Sequence, residues 1–171
     1  FLTHTARAAG ISVQAFSPDQ SDIAAIRAHS GLAEALGNTQ DILAAMDEWT
    51  AFATVFHDHD YEGPLLQAAL QSNAFYICAM GSRKTHSARR TALADIGVSA
   101  DSLSRLRGPI GLVPSMRDAG RLAVSVLADI IDAEVAAGID AQEVAKMYRS
   151  ILIANDLQQF QTIKYLLFLV Y

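Results

Sequence analysis

The sequence has a single cysteine, no long hydrophobic run and no excess of positive charge. Because Cys78 is its only cysteine, an internal disulfide is excluded, and a reducing compartment such as the cytoplasm is expected. No stretch of about 18 apolar residues predicts a membrane span, and no charged segment followed by an apolar one resembles a secretory signal. The net charge of −5 argues against general nucleic-acid binding. We therefore expect a cytoplasmic protein that binds neither membranes nor nucleic acids.

The positive charge is concentrated in one part of the chain. Apolar residues make up 51% of the sequence, which suits one globular domain with a sizeable core. Residues 83–121 carry eight basic residues against three acidic ones, whereas residues 1–82 carry two against nine. A cationic band inside an acidic protein attracts anionic small molecules, although the same side chains also suit a solvated helix face. Both interpretations are open at this point.

A Gly-Ser turn joins an apolar run to a helical pattern. The run Ala74–Ala79 is rich in β-forming residues and predicts a buried strand, and the helical pattern begins near Thr85. Glycine lets a backbone pass close to a ligand, and the N–H groups at a helix start point at anions. The sequence therefore predicts a site for a phosphate-bearing ligand, with candidate residues Gly81, Ser82, Arg83, Lys84 and Thr85.

The cations after this turn do not all have the same expected role. Arg83 and Lys84 either contact the anion or lie in solvent, whereas Arg89 and Arg90, about one and a half turns further on, are expected to be solvated. Ser82 is not expected to be a nucleophile, because no G-x-S-x-G sequence surrounds it.

A compact His/Asp cluster is formed by His57, Asp58, His59 and Asp60. Neighbours in an extended segment point to opposite faces, so convergence on one metal ion is disfavoured and no metal is expected. We favour a turn-forming or cofactor-contacting role for Asp58. His57 has a side chain suited to acid–base chemistry near neutral pH, but no partner constellation defines a reaction.

A further acid, Asp19, follows the predicted strand Ile11–Phe16. Dinucleotide-binding folds often place an acid at this position against a ribose hydroxyl. Ser17-Pro18-Asp19 is also ordinary turn chemistry, so a ribose contact and a turn are both open.

Strand and helix patterns alternate along the chain, which predicts an α/β domain with a parallel sheet. Both candidate clusters follow strands, and ligands of such sheets lie beyond the carboxyl ends of the strands. Extended segments are predicted at Ile11–Phe16, Ala51–Phe56, Ala74–Ala79 and Ile110–Leu112. Helices are predicted at Leu2–Ala9, Ile23–Arg27, Ile42–Met46, Pro64–Leu70, His86–Ile96, Arg117–Ala137, Asp140–Ile153 and Leu157–Leu169.

The first helical pattern resembles the helix that precedes the second strand of a nucleotide-binding fold, and no G-x-G-x-x-G occurs in the sequence. We therefore expect a Rossmann-like sheet that lacks its first strand, with the phosphate loop upstream. Residues 1–137 are expected to form this domain, and residues 138–171 a helical extension of it or an oligomer contact. The helix predicted for Leu157–Leu169 is apolar on too many sides for a surface helix, which favours a homo-oligomer.

Four segments resemble the Rossmann-like domain of the XdhC/CoxI family, whose members are maturation factors for molybdenum hydroxylases. The segments Val55–Glu62, Pro64–Leu70, Tyr76–Thr85 and Gly108–Leu112 occur in the family's order and spacing, and the likeness covers roughly residues 2–137. The chain departs from the family in having Phe56 where a threonine is usual and in its sequence after Leu112. The preceding domain with a cysteine, which family members often have, is expected to be absent.

The resemblance implies a chaperone rather than a catalyst. Family members are understood to bind molybdenum cofactor, support its sulfuration and deliver it to an apo-enzyme of the xanthine dehydrogenase or carbon monoxide dehydrogenase type. That ligand is a pterin with a phosphate tail, often carrying a nucleotide. The resemblance implies cofactor contacts at His57, Asp58 and the Gly81–Thr85 turn.

Two other classes of function remain open on the same architecture. A nicotinamide-dependent oxidoreductase would bind NAD(P) and would need a glycine-rich loop upstream of Phe1. A structural or partner-binding domain would have side chains filling the crevice at the strand ends.

Overall fold

A parallel six-stranded sheet organises the chain. The computed structural model describes residues 1–30, 33–35, 46–55, 59–113, 116–140 and 164–169. In chain order the elements are α1 (Leu2–Ala8), β1 (Ser12–Ser17), α2 (Gln20–Ser30), β2 (Ala33–Ala35), β3 (Thr50–Val55), α3 (His59–Gln71), β4 (Tyr76–Ala79), α4 (Arg83–Asp95), α5 (Ala100–Ser104), β5 (Leu106–Arg107), α6 (Ala119–Ala136) and β6 (Lys164–Leu169).

The strands lie in the order β2-β1-β6-β3-β4-β5, and every neighbouring pair is parallel. A nucleotide-binding Rossmann sheet has the order 3-2-1-4-5-6. The two orders are the same when β6 takes the place of the first strand. The prediction of a Rossmann-like parallel sheet flanked by helices is therefore confirmed.

Strand β6 corrects two predictions. The helix predicted for Leu157–Leu169 is wrong over Lys164–Leu169, which pair with β1 on one side and with β3 on the other. A strand at the centre of a parallel sheet is a continuous apolar run, which periodicity alone does not distinguish from a buried helix. The position that was expected to lack its strand is thus occupied by β6, and the homo-oligomer contact loses the helix on which it was based.

The core lies on both faces of the sheet, because successive strand side chains point to opposite sides. Phe52 and Ile77 pack under α3 and α4, whereas Tyr76 and Cys78 face α1 and α6. Burial raises the pKa of the Cys78 thiol to about 12, so at neutral pH the group is an uncharged core thiol.

Two smaller differences separate the predicted elements from the observed ones. Pro64 was expected in the first turn of a helix, but α3 begins at His59 and contains Pro64 in its interior. The segment Ile110–Leu112, predicted to be extended, is instead an irregular bend, and the strand in that region is β5. The helices predicted at Ile42–Met46 and Asp140–Ile153 lie almost entirely outside the described residues. Over the part of the chain that is described, no helix is long and apolar enough to span a membrane.

Candidate ligand-binding site

The turn after β4 holds the backbone close to α4. The Met80 N–H donates a hydrogen bond of 2.8 Å to the carbonyl oxygen of Thr54, which aligns the ends of β3 and β4. Gly81 has a φ of +147°, and a Cβ at this position would lie 3.1 Å from the side chain of Thr85. Only glycine satisfies both conditions without strain, so the predicted close approach of the backbone is present.

Ser82 starts helix α4 as its N-cap. Its Oγ accepts a hydrogen bond of 3.1 Å from the Thr85 N–H and lies 2.9 Å from Thr85 Oγ1. Arg83 and Lys84 follow in the first helical turn, and both are exposed. Positive charge at a helix N-terminus opposes the helix dipole, so helix stability does not explain these two cations, whereas an anionic ligand would.

Arg89 was expected to lie in solvent, and that expectation is wrong. Its side chain is only 5% exposed. Nε donates to Glu62 Oε2 at 3.0 Å, and Nη2 donates to the Met80 carbonyl oxygen at 2.7 Å. Glu62 Oε1 in turn accepts a hydrogen bond of 2.9 Å from Thr54 Oγ1. This chain of contacts, here called the Glu62–Arg89 network, joins α3 and α4 to the carboxyl ends of β3 and β4.

A sequence signal for the burial of Arg89 was present. Thr85, Arg89 and Leu93 are spaced four residues apart and therefore share one face of α4. Leu93 is a buried core residue, so its face points inward. The partner Glu62 lies 27 residues away in sequence, and no local pattern connects the two.

A cavity of about 600 Å³ lies between α3 and α4. This volume is within the range of small-molecule sites. Of the charged and hydroxyl groups in its lining, those of Glu62, Lys84 and Thr85 come from the first turns of the two helices, and that of Arg89 comes from the middle of α4. Apolar side chains extend along α4. The lining residues are Glu62, Gly63, Pro64, Lys84, Thr85, Ala88, Arg89, Ala92, Leu93 and Ile96.

His86 borders the site on the side of β5. A Cβ at Gly108 would lie 2.1 Å from His86 Nδ1, so the imidazole packs directly against the backbone after β5. Burial lowers the pKa of His86, and the charges of Arg89 and Arg90 lower it further, so the ring is neutral at pH 7. Nδ1 is buried and has no hydrogen-bond partner among the residues that the structure describes. Sequence reasoning assigned His86 no role.

Asp19 lies at the same edge of the sheet but far from the Gly81 turn. It follows β1, which is separated from β4 by β6 and β3, or roughly 14 Å at the usual strand spacing. Asp19 Oδ1 accepts hydrogen bonds of 2.6 Å from the side chain and the backbone N–H of Ser21. These contacts hold the pKa of Asp19 below its usual value and favour the turn interpretation.

The remaining predicted site residues cannot be placed in the same way. His57 and Asp58 lie outside the described residues. His59 and Asp60 belong to the first turn of α3. Within the described ranges, no group of three or more His, Cys, Asp and Glu side chains is arranged to hold a metal ion. The structure therefore brings together Gly81–Thr85, Glu62 and Arg89, and leaves Asp19 apart.

Comparison with protein families matches residues 1–130 to the XdhC Rossmann domain. The chain belongs to this family. It is also similar to the molybdenum cofactor insertion chaperone PaoD of Escherichia coli (strain K12), with 41% identity over 87 residues. That match covers 51% of this chain and 27% of PaoD, so the chain spans about a quarter of that relative's length.

The family match covers the site of this XdhC Rossmann domain. The Gly81–Thr85 turn, the Glu62–Arg89 network and the cavity all lie within residues 1–130, whereas β6 lies beyond them. The predicted resemblance is thus confirmed. The related protein is described as an insertion chaperone, so the alternative of an NAD(P)-dependent oxidoreductase is not supported.

Proposed function

We propose that this protein binds molybdenum cofactor as cargo and takes part in its insertion into a molybdenum enzyme. The observation that carries the proposal is the XdhC family match, which spans the whole candidate site. The similarity to a molybdenum cofactor insertion chaperone supports it. We further propose that the client is a hydroxylase of the xanthine dehydrogenase or carbon monoxide dehydrogenase type, and that the protein acts in the cytoplasm.

The residues present suit such a cargo. A pterin with a phosphate tail needs a flat apolar surface and an anion-binding end. In the cavity, Ala88, Ala92 and Ile96 form an apolar surface, and Lys84 stands near the start of α4. We assign the phosphate-bearing end to the Gly81–Thr85 turn, where the first N–H groups of α4 have no carbonyl partner within the helix.

Three further residues, His57, Asp58 and Asp19, are also proposed to contact the cofactor. His57 and Asp58 follow β3, the neighbour of β4, and are proposed to contact the cofactor. Asp19, two strands further along the edge, is proposed to contact the ribose of a nucleotide-bearing form of the cofactor. A homo-oligomer is proposed without an assigned contact surface.

A chaperone role agrees better with the site than catalysis does. Ser82 Oγ is engaged as the cap of α4, and the Cys78 thiol is fully buried. His86 is neutral at pH 7 but is packed against Gly108. None of these three groups is arranged as a nucleophile activated by a base.

The proposal is tested by incubating the full chain with molybdenum cofactor and separating bound from free cofactor by gel filtration. Molybdenum analysis and pterin fluorescence should show co-elution with the protein. The double variant Arg83→Ala/Lys84→Ala should retain less cofactor. Its matched control is Arg117→Ala/Arg121→Ala, which removes two exposed cations near the start of α6. Co-elution no greater than with an unrelated protein would refute the proposal.

A further inference from the structure

Arg89 carries a buried donor that has no acceptor in the described part of the chain. The whole residue is 7% exposed, and the side-chain atom Nη1 has no hydrogen-bond partner among the described residues. A buried donor of a charged group that stays unpaired is costly, because it has lost its water without gaining an acceptor. Such a group in a native protein calls for a physical explanation, and a ligand atom is one.

The guanidinium group is held in a fixed orientation. Nε is bound to Glu62 and Nη2 to the Met80 carbonyl oxygen, so two of its three nitrogens are anchored. Both carboxylate oxygens of Glu62 accept hydrogen bonds, one from Thr54 and one from Arg89. The Glu62–Arg89 network therefore leaves Nη1 as the one nitrogen of Arg89 without an acceptor among the described residues.

The surroundings of Arg89 select an anionic acceptor. Arg89 lines the α3–α4 cavity together with Lys84 and Thr85. The absence of a side chain at Gly81 leaves the backbone turn directly beside the guanidinium, since a Cβ there would lie 3.5 Å from Nη2. Because Glu62 neutralises the charge of Arg89, the net positive charge of the cavity lining comes from exposed Lys84 and from the N-terminus of α4.

We propose that Arg89 is the anchor of a phosphate subsite in the cavity between α3 and α4. Its Nη1 donates to a phosphate oxygen of a small ligand, Lys84 supplies the second cationic contact, and the body of the ligand lies along Ala88, Ala92 and Ile96. The subsite rests on the proposed function only for the identity of that ligand as molybdenum cofactor. Binding of a phosphate group at Arg89 is a separate claim.

The subsite is tested with inorganic pyrophosphate, titrated into the full chain by calorimetry. Arg89→Lys keeps the charge but removes the planar fork, and should weaken binding roughly tenfold or more. Circular dichroism checks that the variant folds. If it does not, Glu62→Gln/Arg89→Gln replaces the ion pair by a neutral amide pair and should show the same loss. Arg90→Lys is the matched control, because Arg90 donates to the Leu103 carbonyl oxygen rather than to the cavity, and it should bind as the wild type does.

The outcomes separate this subsite from the proposed function. Wild-type protein that does not bind pyrophosphate, or a folded Arg89 variant that binds it equally well, overturns the subsite. An equal loss with Arg90→Lys overturns it as well. If pyrophosphate binding depends on Arg89 but molybdenum cofactor is not retained, the subsite is supported and the proposed function fails. If cofactor is retained equally by wild type and Arg89→Lys, the proposed function is supported and the subsite fails.

Discussion

Two ion pairs near the carboxyl ends of the strands differ in whether their hydrogen bonding is complete. In the pair Arg107–Asp129, the carboxylate also accepts a hydrogen bond of 2.6 Å from the Tyr76 hydroxyl and one of 3.3 Å from the Gly111 N–H. Arg107 is 47% exposed and lies 5.1 Å from the centre of the Tyr76 ring. In the pair Glu62–Arg89, both side chains are buried, yet Arg89 Nη1 has no partner in the described part of the chain.

The two pairs therefore differ in what they leave without a partner among the described residues. The Arg107–Asp129 pair ties the turn after β5 to helix α6, and its carboxylate is fully engaged, so it needs nothing further. The Glu62–Arg89 pair keeps an oriented donor beside a cavity. A buried donor without a partner beside a cavity calls for an explanation that the Arg107–Asp129 pair does not need.

The largest expected effect comes from breaking the Glu62–Arg89 pair. Glu62→Ala leaves the buried guanidinium without its carboxylate and should lower the free energy of unfolding by about 3–5 kcal/mol. Urea denaturation followed by circular dichroism measures the loss. A loss below about 1 kcal/mol would contradict the burial of the pair.

A substitution in the turn after β5 should cause a loss of intermediate size in the free energy of unfolding. Gly108→Ala places a methyl group against the His86 ring and should lower the free energy of unfolding by about 1–3 kcal/mol. Because the obstacle is the imidazole, the double variant Gly108→Ala/His86→Ala should recover part of the loss. Absence of recovery would show that the strain comes from the backbone instead.

Substitution in the Arg107–Asp129 pair should lower the free energy of unfolding less than substitution in the Glu62–Arg89 pair. Asp129→Asn keeps an oxygen for the Tyr76 hydroxyl and removes the charge next to half-exposed Arg107, so a loss of about 1–2 kcal/mol is expected. Cofactor retention should not change, since Asp129 does not line the cavity. A fall in retention as large as that of Arg83→Ala/Lys84→Ala would remove the distinction between the two regions.

The cations of the first turn of α4 should affect stability and binding in opposite directions. Arg83→Ala/Lys84→Ala removes positive charge from the positive end of the helix dipole and should raise the thermal midpoint slightly, while retention of the cofactor falls. Differential scanning fluorimetry without ligand measures the first effect. A lower midpoint together with weaker retention would point to a structural role for the two residues.

The smallest expected effect is a dependence of stability on pH through His86. Its pKa is lowered in the folded state, so the unfolded chain takes up the proton first as the pH falls below about 6.5. Stability is therefore fully present above that pH and decreases toward acid. Urea midpoints measured from pH 7.5 to 5.5 should decrease less for His86→Gln than for the wild type, and equal slopes would exclude this residue as the cause.

Much of the fold follows from local sequence patterns, and the central strand β6 does not. Strands β1, β3 and β4 and helices α1, α4 and α6 have clear apolar periods bounded by turn residues, and each lies close to its predicted position. Strand β6 does not, because its pairing with β1 and β3 depends on residues more than 100 positions away. A central strand and a buried helix have the same apolar composition, so only the sheet distinguishes them.

The candidate site likewise has features that local sequence predicts and features that depend on distant residues. The Gly81–Ser82 turn and its helix start are local chemistry and were predicted from their residues. The burial of Arg89 depends on Glu62 in another helix, and the fit of His86 depends on Gly108 after another strand. Arginine is nearly always exposed unless it is paired, so a single sequence favours solvent for it until its partner is known.

The decisive measurement is retention of molybdenum cofactor by the full chain, compared between wild type, Arg89→Lys and Arg90→Lys, because it tests whether Arg89 anchors the cofactor. Molybdenum and pterin should co-elute with wild type and with Arg90→Lys, whereas Arg89→Lys should lose most of both while remaining folded. Retention by wild type no greater than by an unrelated protein, or equal retention by all three chains, would contradict this role of Arg89.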